Sequence, residues 1–137
     1  MPKDKQKEEV AKLMHLLGLE SVSHRKAGKL SGGWQRRLSI AMALVSRPEI
    51  LFLDEPTLGL DVLARSELWE LIRTLKGKIT IIMTTHYMQE AQALSDRIAI
   101  MKEGRLLICD TAENIKKSAC TDDFEQAFIN IIKGVAK

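Results

Sequence analysis

Cysteine, proline and aromatic residues are scarce in this chain of 137 residues, and long apolar runs are missing from it. The two cysteines, Cys109 and Cys120, have neither Cys-x-x-Cys spacing nor a histidine nearby in sequence. That argues against a disulfide framework and against a zinc site, and leaves two reduced thiols. The longest mainly apolar stretch, Leu38 to Val45, is broken by Ser39 and falls far short of the ~18 residues a membrane span requires. The first ten residues are charged and lack the apolar centre of a secretory signal, so the chain reads as one that stays in the cytosol. Neither sign of charge dominates: 21 Lys and Arg face 18 Asp and Glu, a net +3, with both signs scattered along the chain. Nothing there marks a nucleic-acid surface. The remainder, 45% hydrophobic and 28% charged, is ordinary globular composition and excludes disordered, collagen-like and low-complexity chains. The length suits one domain.

The apolar periodicity sets out an order of elements. Val10, Leu13, Met14 and Leu17 recur on one helical face, and Gly18 stops the helix. From Leu19 to Lys29 the pattern dissolves into a connecting loop. A second helix is expected from about Gly33, with Trp34, Leu38, Ala41, Met42 and Val45 as its apolar stripe and its end at Arg47 before Pro48. Ile50 to Leu53 is a short continuous apolar run, which predicts a strand buried on both faces and ending at Asp54 and Glu55. Leu68, Leu71, Ile72 and Leu75 predict a third helix closed by Gly77. Ile79 to Met83 repeats the buried-strand pattern and ends in Thr84, Thr85 and His86. Strand, helix and strand at this spacing make a βαβ unit with parallel strands and a right-handed crossover, so the fold class is α/β. A short helix from Tyr87 to Leu94 leads to two strand-like runs, Ile98 to Met101 and Leu106 to Cys109, that suit a hairpin. Asp110 with Glu113, and Thr121 ahead of Asp122 and Asp123, suit the caps of two closing helices. No internal repeat is visible.

Chemistry concentrates at the ends of the two expected parallel strands. Ligands of open parallel sheets bind beyond the C-terminal strand ends, and these ends deliver Asp54 and Glu55 from one strand and His86 from the other. Adjacent carboxylates suit a division of labour in which one holds Mg²⁺ and the other polarises a water, but they also suit a solvated turn. Ser31, Gly32 and Gly33 precede a helix, where free backbone N–H groups and the positive end of the helix dipole can receive a phosphate. They equally suit a serine cap followed by a glycine turn.

In order along the chain stand Leu30-Ser31-Gly32-Gly33, an apolar strand ending in Asp54-Glu55, Pro56-Thr57, Gly59-Leu60-Asp61 and His86. This series resembles the ATP-binding cassette (ABC) ATPases over essentially the whole chain. The resemblance implies the C-terminal part of a P-loop NTPase of RecA-like fold, with a partly parallel sheet and flanking helices. Residues 1–30 would be the end of a helical subdomain, 31–110 the core and 111–137 the C-terminal helices. It further implies that Leu30 to Gly33 is the signature motif, Ile50 to Asp54 the Walker B strand, Leu58 to Asp61 the D-loop and His86 the switch histidine. In that reading Asp54 orders Mg²⁺, Glu55 positions the attacking water and His86 senses the γ-phosphate of ATP. Ser31, Gly32, Gly33 and Asp61 then complete the nucleotide site of a second ATPase subunit in a head-to-tail dimer. Transmembrane permease subunits receive the stroke, which places the protein on the inner face of the cell membrane. The run Thr85 to Ala91 and the Gly59-Leu60-Asp61 form look most like ATPases of drug, lipid and polysaccharide exporters.

The sequence also departs from that family. The phosphate-cradling loop, Gly-x-x-x-x-Gly-Lys followed by Ser or Thr, is absent, because Gly28-Lys29 precedes Leu30 and Gly77-Lys78 precedes Ile79. The glutamine-bearing loop and the aromatic residue that stacks on adenine are missing too, and Trp34 stands where the signature more usually has Gln. The expectation is a C-terminal fragment, entered at Met1, Pro2 and Lys3 inside the domain, that does not bind MgATP alone. The competing expectation is a noncatalytic module that lends its signature to an intact ATPase. A relative of chromosome-maintenance or ribosome-associated ATPases would need a coiled-coil arm or a second cassette, and the chain shows neither heptads nor a repeat.

Overall fold

In the computed structural model, residues 3–135 are described, and the chain divides between Thr84 and Thr85 into two units. The entry into the domain expected at Met1 and Pro2 lies outside the described residues.

The first unit opens with α1 (Lys3–Leu16), which ends where Gly18 takes the left-handed conformation. Leu13 and Leu17 bury their side chains. The expected loop is two 3₁₀ turns, Leu19–Val22 and Ala27–Lys29, and Leu19 and Val22 of the first are buried anchors rather than solvated linker. Next comes α2 (Gly32–Leu44). Its buried stripe is Ile40, Ala41 and Leu44, whereas Met42, expected on the core side, is 69% exposed. The stripe therefore runs along a face rotated from the one the composition suggests.

A parallel pair follows, β1 (Ile50–Asp54) and β2 (Thr80–Thr84), joined by α3 (Val62–Leu75). The expected βαβ unit is present, in a register that runs from Ile50 opposite Thr80 to Asp54 opposite Thr84. In α3 the residues Leu68, Leu71, Ile72 and Leu75 are all buried. Each such side chain contributes about 1.5–3 kcal/mol when removed from water. The strands depart from expectation in one respect: they are not buried on both faces. Leu51 and Leu53 face the core, while Ile50, Phe52 and Ile82 are 48%, 70% and 46% exposed. A parallel sheet normally carries cover on both sides, and this one has it on one.

The second unit contains α4 (Met88–Leu94), the antiparallel hairpin β3 (Ile98–Lys102) and β4 (Arg105–Asp110), α5 (Ala112–Ser118) and α6 (Phe124–Lys133). Glu103 and Gly104 both have positive φ, as a two-residue hairpin turn of this hand requires. Ile100, Ile115, Ala119, Phe124 and Ala127 form the core. The closing helices are present, but their caps sit elsewhere than expected. Thr111 caps α5 by accepting from the Asn114 N–H, and Asp123 caps α6 by accepting from the N–H groups of Glu125 and Gln126. Asp110 and Thr121 support those caps from one and two residues back, accepting from the N–H of Thr111 and of Asp123 respectively.

Among the described residues, no helix is long and apolar enough to cross a membrane. Cys109 and Cys120 are free.

Candidate functional site

At the C-terminal end of the parallel pair, β1 delivers Asp54 and then turns sharply, with Glu55 in the left-handed region at φ 44. A residue other than glycine held there costs roughly 1–3 kcal/mol, so neighbouring bonds must hold the turn in place. The neighbour is Thr84, the last residue of β2. Its hydroxyl donates to Asp54 Oδ1 at 2.5 Å and accepts from the Glu55 N–H at 3.1 Å. The same N–H also reaches the Thr84 carbonyl at 3.1 Å. Three polar residues thus converge on one strand end, and sequence reasoning named two of them. Thr84 carries no motif of its own; the only sequence signal is that both strands of the expected parallel pair end in polar residues.

A second cluster forms where α2 and α3 begin. Ser31 occupies the cap position of α2, but its side chain makes no capping bond, so the serine-cap alternative does not hold here. Gln35 instead closes the approach to the helix, donating through Nε2 to the Leu30 carbonyl at 2.9 Å. Gly32 and Gly33 lie against the start of α3. A Cβ on Gly32 would come within 3.5 Å of Leu60, and one on Gly33 within 3.2 Å of the Ala64 Cβ. Asp61 caps α3 through a 2.9 Å bond from the Ala64 N–H. Ser31, Gly32, Gly33 and Asp61, spread over 31 positions of sequence, are therefore gathered at one junction.

Arg37 braces that junction. It pairs with Glu67 of α3 at 2.6 Å, donates to the Leu17 carbonyl at 3.3 Å, and stacks its guanidinium 5.0 Å from the centre of the Trp34 ring. Trp34 is accordingly engaged in packing within its own helix. Arg37 lies outside the apolar stripe expected for this helix, yet the structure leaves its side chain only 17% exposed. Between Glu20 and Glu49 the chain has no carboxylate but carries Arg25, Lys26, Lys29, Arg36, Arg37 and Arg47. Of these, Arg37 pairs with Glu67 and Arg47 with Glu9.

His86 belongs to the second unit. Its ring stands 4.1 Å from that of Tyr87, with the planes tilted by 40°. The Thr85 hydroxyl accepts from the Tyr87 N–H at 3.0 Å.

A family model described as ABC transporter matches residues 2–58. Over 110 residues, 80% of this chain, the sequence is 44% identical to "Phospholipid-transporting ATPase ABCA3" of Homo sapiens, of which the match spans 6%. It is 51% identical over 98 residues, 70% of this chain, to "Nod factor export ATP-binding protein I" of Burkholderia orbicola (strain AU 1054), spanning 32% of that protein. With "ABC transporter A family member 11" of Arabidopsis thaliana it shares 46% identity over 105 residues, 77% of this chain and 11% of that one. The chain belongs to the ABC transporter ATP-binding family.

An ABC ATP-binding sequence implies a nucleotide, generally accompanied by Mg²⁺, and the strand end fits that cation. Mg²⁺ takes hard oxygen ligands and commonly binds through one or two carboxylates, with waters and substrate phosphates completing its shell. Asp54 is such a carboxylate, with Oδ1 fixed by Thr84. Among the described residues no three His, Cys, Asp or Glu side chains cluster to hold a metal by themselves.

Proposed function

We propose that this chain is part of the ATP-hydrolysing subunit of an ABC-type exporter, peripheral on the cytoplasmic face of a membrane and coupled to membrane-spanning partner subunits. The observation that carries the reading is the Asp54–Glu55 pair at the C-terminal tip of a parallel strand, the place where open α/β sheets bind their ligands.

In this reading Asp54 holds the Mg²⁺ of MgATP. The cation, when bound, neutralises charge on the β- and γ-phosphates. Glu55 orients the attacking water in line with the γ-phosphate and accepts its proton, and His86 donates a hydrogen bond to that phosphate. Ser31, Gly32 and Gly33 present a hydroxyl and backbone N–H groups at the positive end of α2 to a nucleotide held by a second ATPase subunit, with Asp61 at the same interface. The Ser31 hydroxyl, which makes no capping bond, supports this role.

The phosphate loop comes from a segment outside these residues, and the bare face of β1 and β2 supports the existence of such a cover. Without it, nothing at the strand end balances the charge of a triphosphate facing Asp54 and Glu55. Titrating MgATP into the purified chain tests this: no saturable binding is expected alone, and binding with hydrolysis is expected once a phosphate-loop half is supplied. Tight binding by the chain alone would refute the division of the site. A second reading, a module that lends its signature in trans, draws on the same Ser31 geometry. It predicts that the chain changes the ATPase rate of an intact subunit without hydrolysing ATP.

A further inference from the structure

We infer that Thr84 is a positioning residue for the Asp54–Glu55 pair: one hydroxyl orients the carboxylate that holds the cation and anchors the backbone of the residue that directs the water. The inference rests on the ATPase reading above and adds to it a residue outside the resemblance.

A threonine hydroxyl has one proton and two lone pairs. The proton goes to Asp54 Oδ1 and one lone pair receives the Glu55 N–H. With Oδ1 engaged, the Asp54 carboxylate cannot turn without losing a charge-assisted hydrogen bond, so Oδ2 is held in one orientation for the water shell of a cation. Glu55 gains from the same group on its backbone side. Its left-handed φ is unfavourable for a residue with a Cβ, and its N–H is fixed by both the hydroxyl and the carbonyl of Thr84. The parallel register makes this possible, because Asp54 and Thr84 are the last partners of the ladder. Thr84 is exposed, so removing its Oγ1 opens no cavity in the core.

The test compares Thr84→Val, which keeps the shape and removes the hydroxyl, with Thr84→Ser, which keeps the hydroxyl. In the chain itself, hydrogen–deuterium exchange at the Glu55 amide is expected to quicken about fivefold in Thr84→Val, because the hydroxyl bond is lost while the bond to the Thr84 carbonyl remains. It should stay within about twofold in Thr84→Ser, with the rest of β1 unchanged in both. In the subunit completed by its phosphate-loop half, Thr84→Val should lower kcat about tenfold or more at an unchanged KM for MgATP, and Thr84→Ser should restore it. Glu55 exchange unaffected by Thr84→Val, a serine variant that behaves like valine, or an unchanged kcat would each overturn the inference. A completed unsubstituted subunit that does not hydrolyse ATP would refute the proposed function instead, and Glu55 exchange would still decide the role of Thr84.

Discussion

Gly33 and Ala64 meet so closely that a Cβ added to the glycine would stand 3.2 Å from the alanine Cβ. The helix that begins at Gly32 and the helix that follows Asp61 are therefore joined at a seam where an added methyl group would be crowded. Gly33→Ala should lower the stability of the first unit by up to about 1 kcal/mol, the crowding being offset in part by the helix propensity alanine gains, and in the double variant with Ala64→Gly the crowding should disappear. Thermal melts of the two single variants and the double variant form a cycle that measures the coupling. Independent, additive effects would show that the seam is not tight. The same contact bears on functional tests, because a charged side chain at Gly33 would disturb this seam as well as any phosphate beside it.

Ser31 and Asp61 occupy equivalent cap positions, yet only Asp61 makes the capping bond. Asp61→Ala should therefore cost about 1 kcal/mol, whereas Asp61→Asn, which keeps an accepting oxygen, should cost little. Ser31→Ala should leave the melt almost unmoved while removing the hydroxyl that the proposed function offers to a nucleotide. A melt for Ser31→Ala depressed as much as for Asp61→Ala would mean that the serine does cap α2.

Sequence and structure agree most where periodicity carries the burial. Leu68, Leu71, Ile72 and Leu75 are at helical spacing because one face of α3 must be apolar, and all four are buried. The run Ile50 to Leu53 predicts a strand but not its bare face, since an apolar run records what a residue prefers and not whether this chain supplies the cover. Asp110 and Thr111 are both good cap formers in adjacent positions, and only backbone geometry selects the second. Asp54 and Glu55 are legible from their place after a strand. Thr84 is not, because its importance arises from a register that pairs it with a residue 30 positions away. Arg37 escapes notice for a different reason: a charge in a helix reads as a solvated position until its partners, the Leu17 carbonyl just past α1 and Glu67 of α3, are seen.

Asp110 gives the second unit a dependence on pH. Its carboxylate is held below the ordinary range by the hydrogen bond from the Asn114 side chain, and secondly by the Thr111 N–H. A carboxylate whose pKa is depressed on folding contributes stability above its unfolded pKa and loses it as pH falls through the folded value. The anchoring of α5 should therefore weaken below about pH 4. Melting curves recorded from pH 6 to pH 3 should fall less steeply for Asp110→Asn than for the unsubstituted chain, and identical slopes would remove Asp110 as a source of the dependence.

Phe52 presents most of its ring to solvent between Ile50 on its own strand and Ile82 on the next, so the uncovered face of the parallel pair is an apolar patch on a sheet. Such a face without cover drives association, and a short two-stranded sheet has little stability of its own to resist rearrangement. The isolated chain should sediment as species heavier than its 15.4 kDa. Phe52→Lys together with Ile82→Lys should shift it toward monomer, because both substitutions alter exposed positions and leave Leu51 and Leu53 in the core. A phosphate-loop half that covers this face should have the same effect on the unsubstituted chain and should lose its grip on the double variant. Sedimentation of the four combinations separates the causes: a chain that is monomeric from the start, or a double variant that still captures the added half, would show that the uncovered face is not where a phosphate-loop half docks.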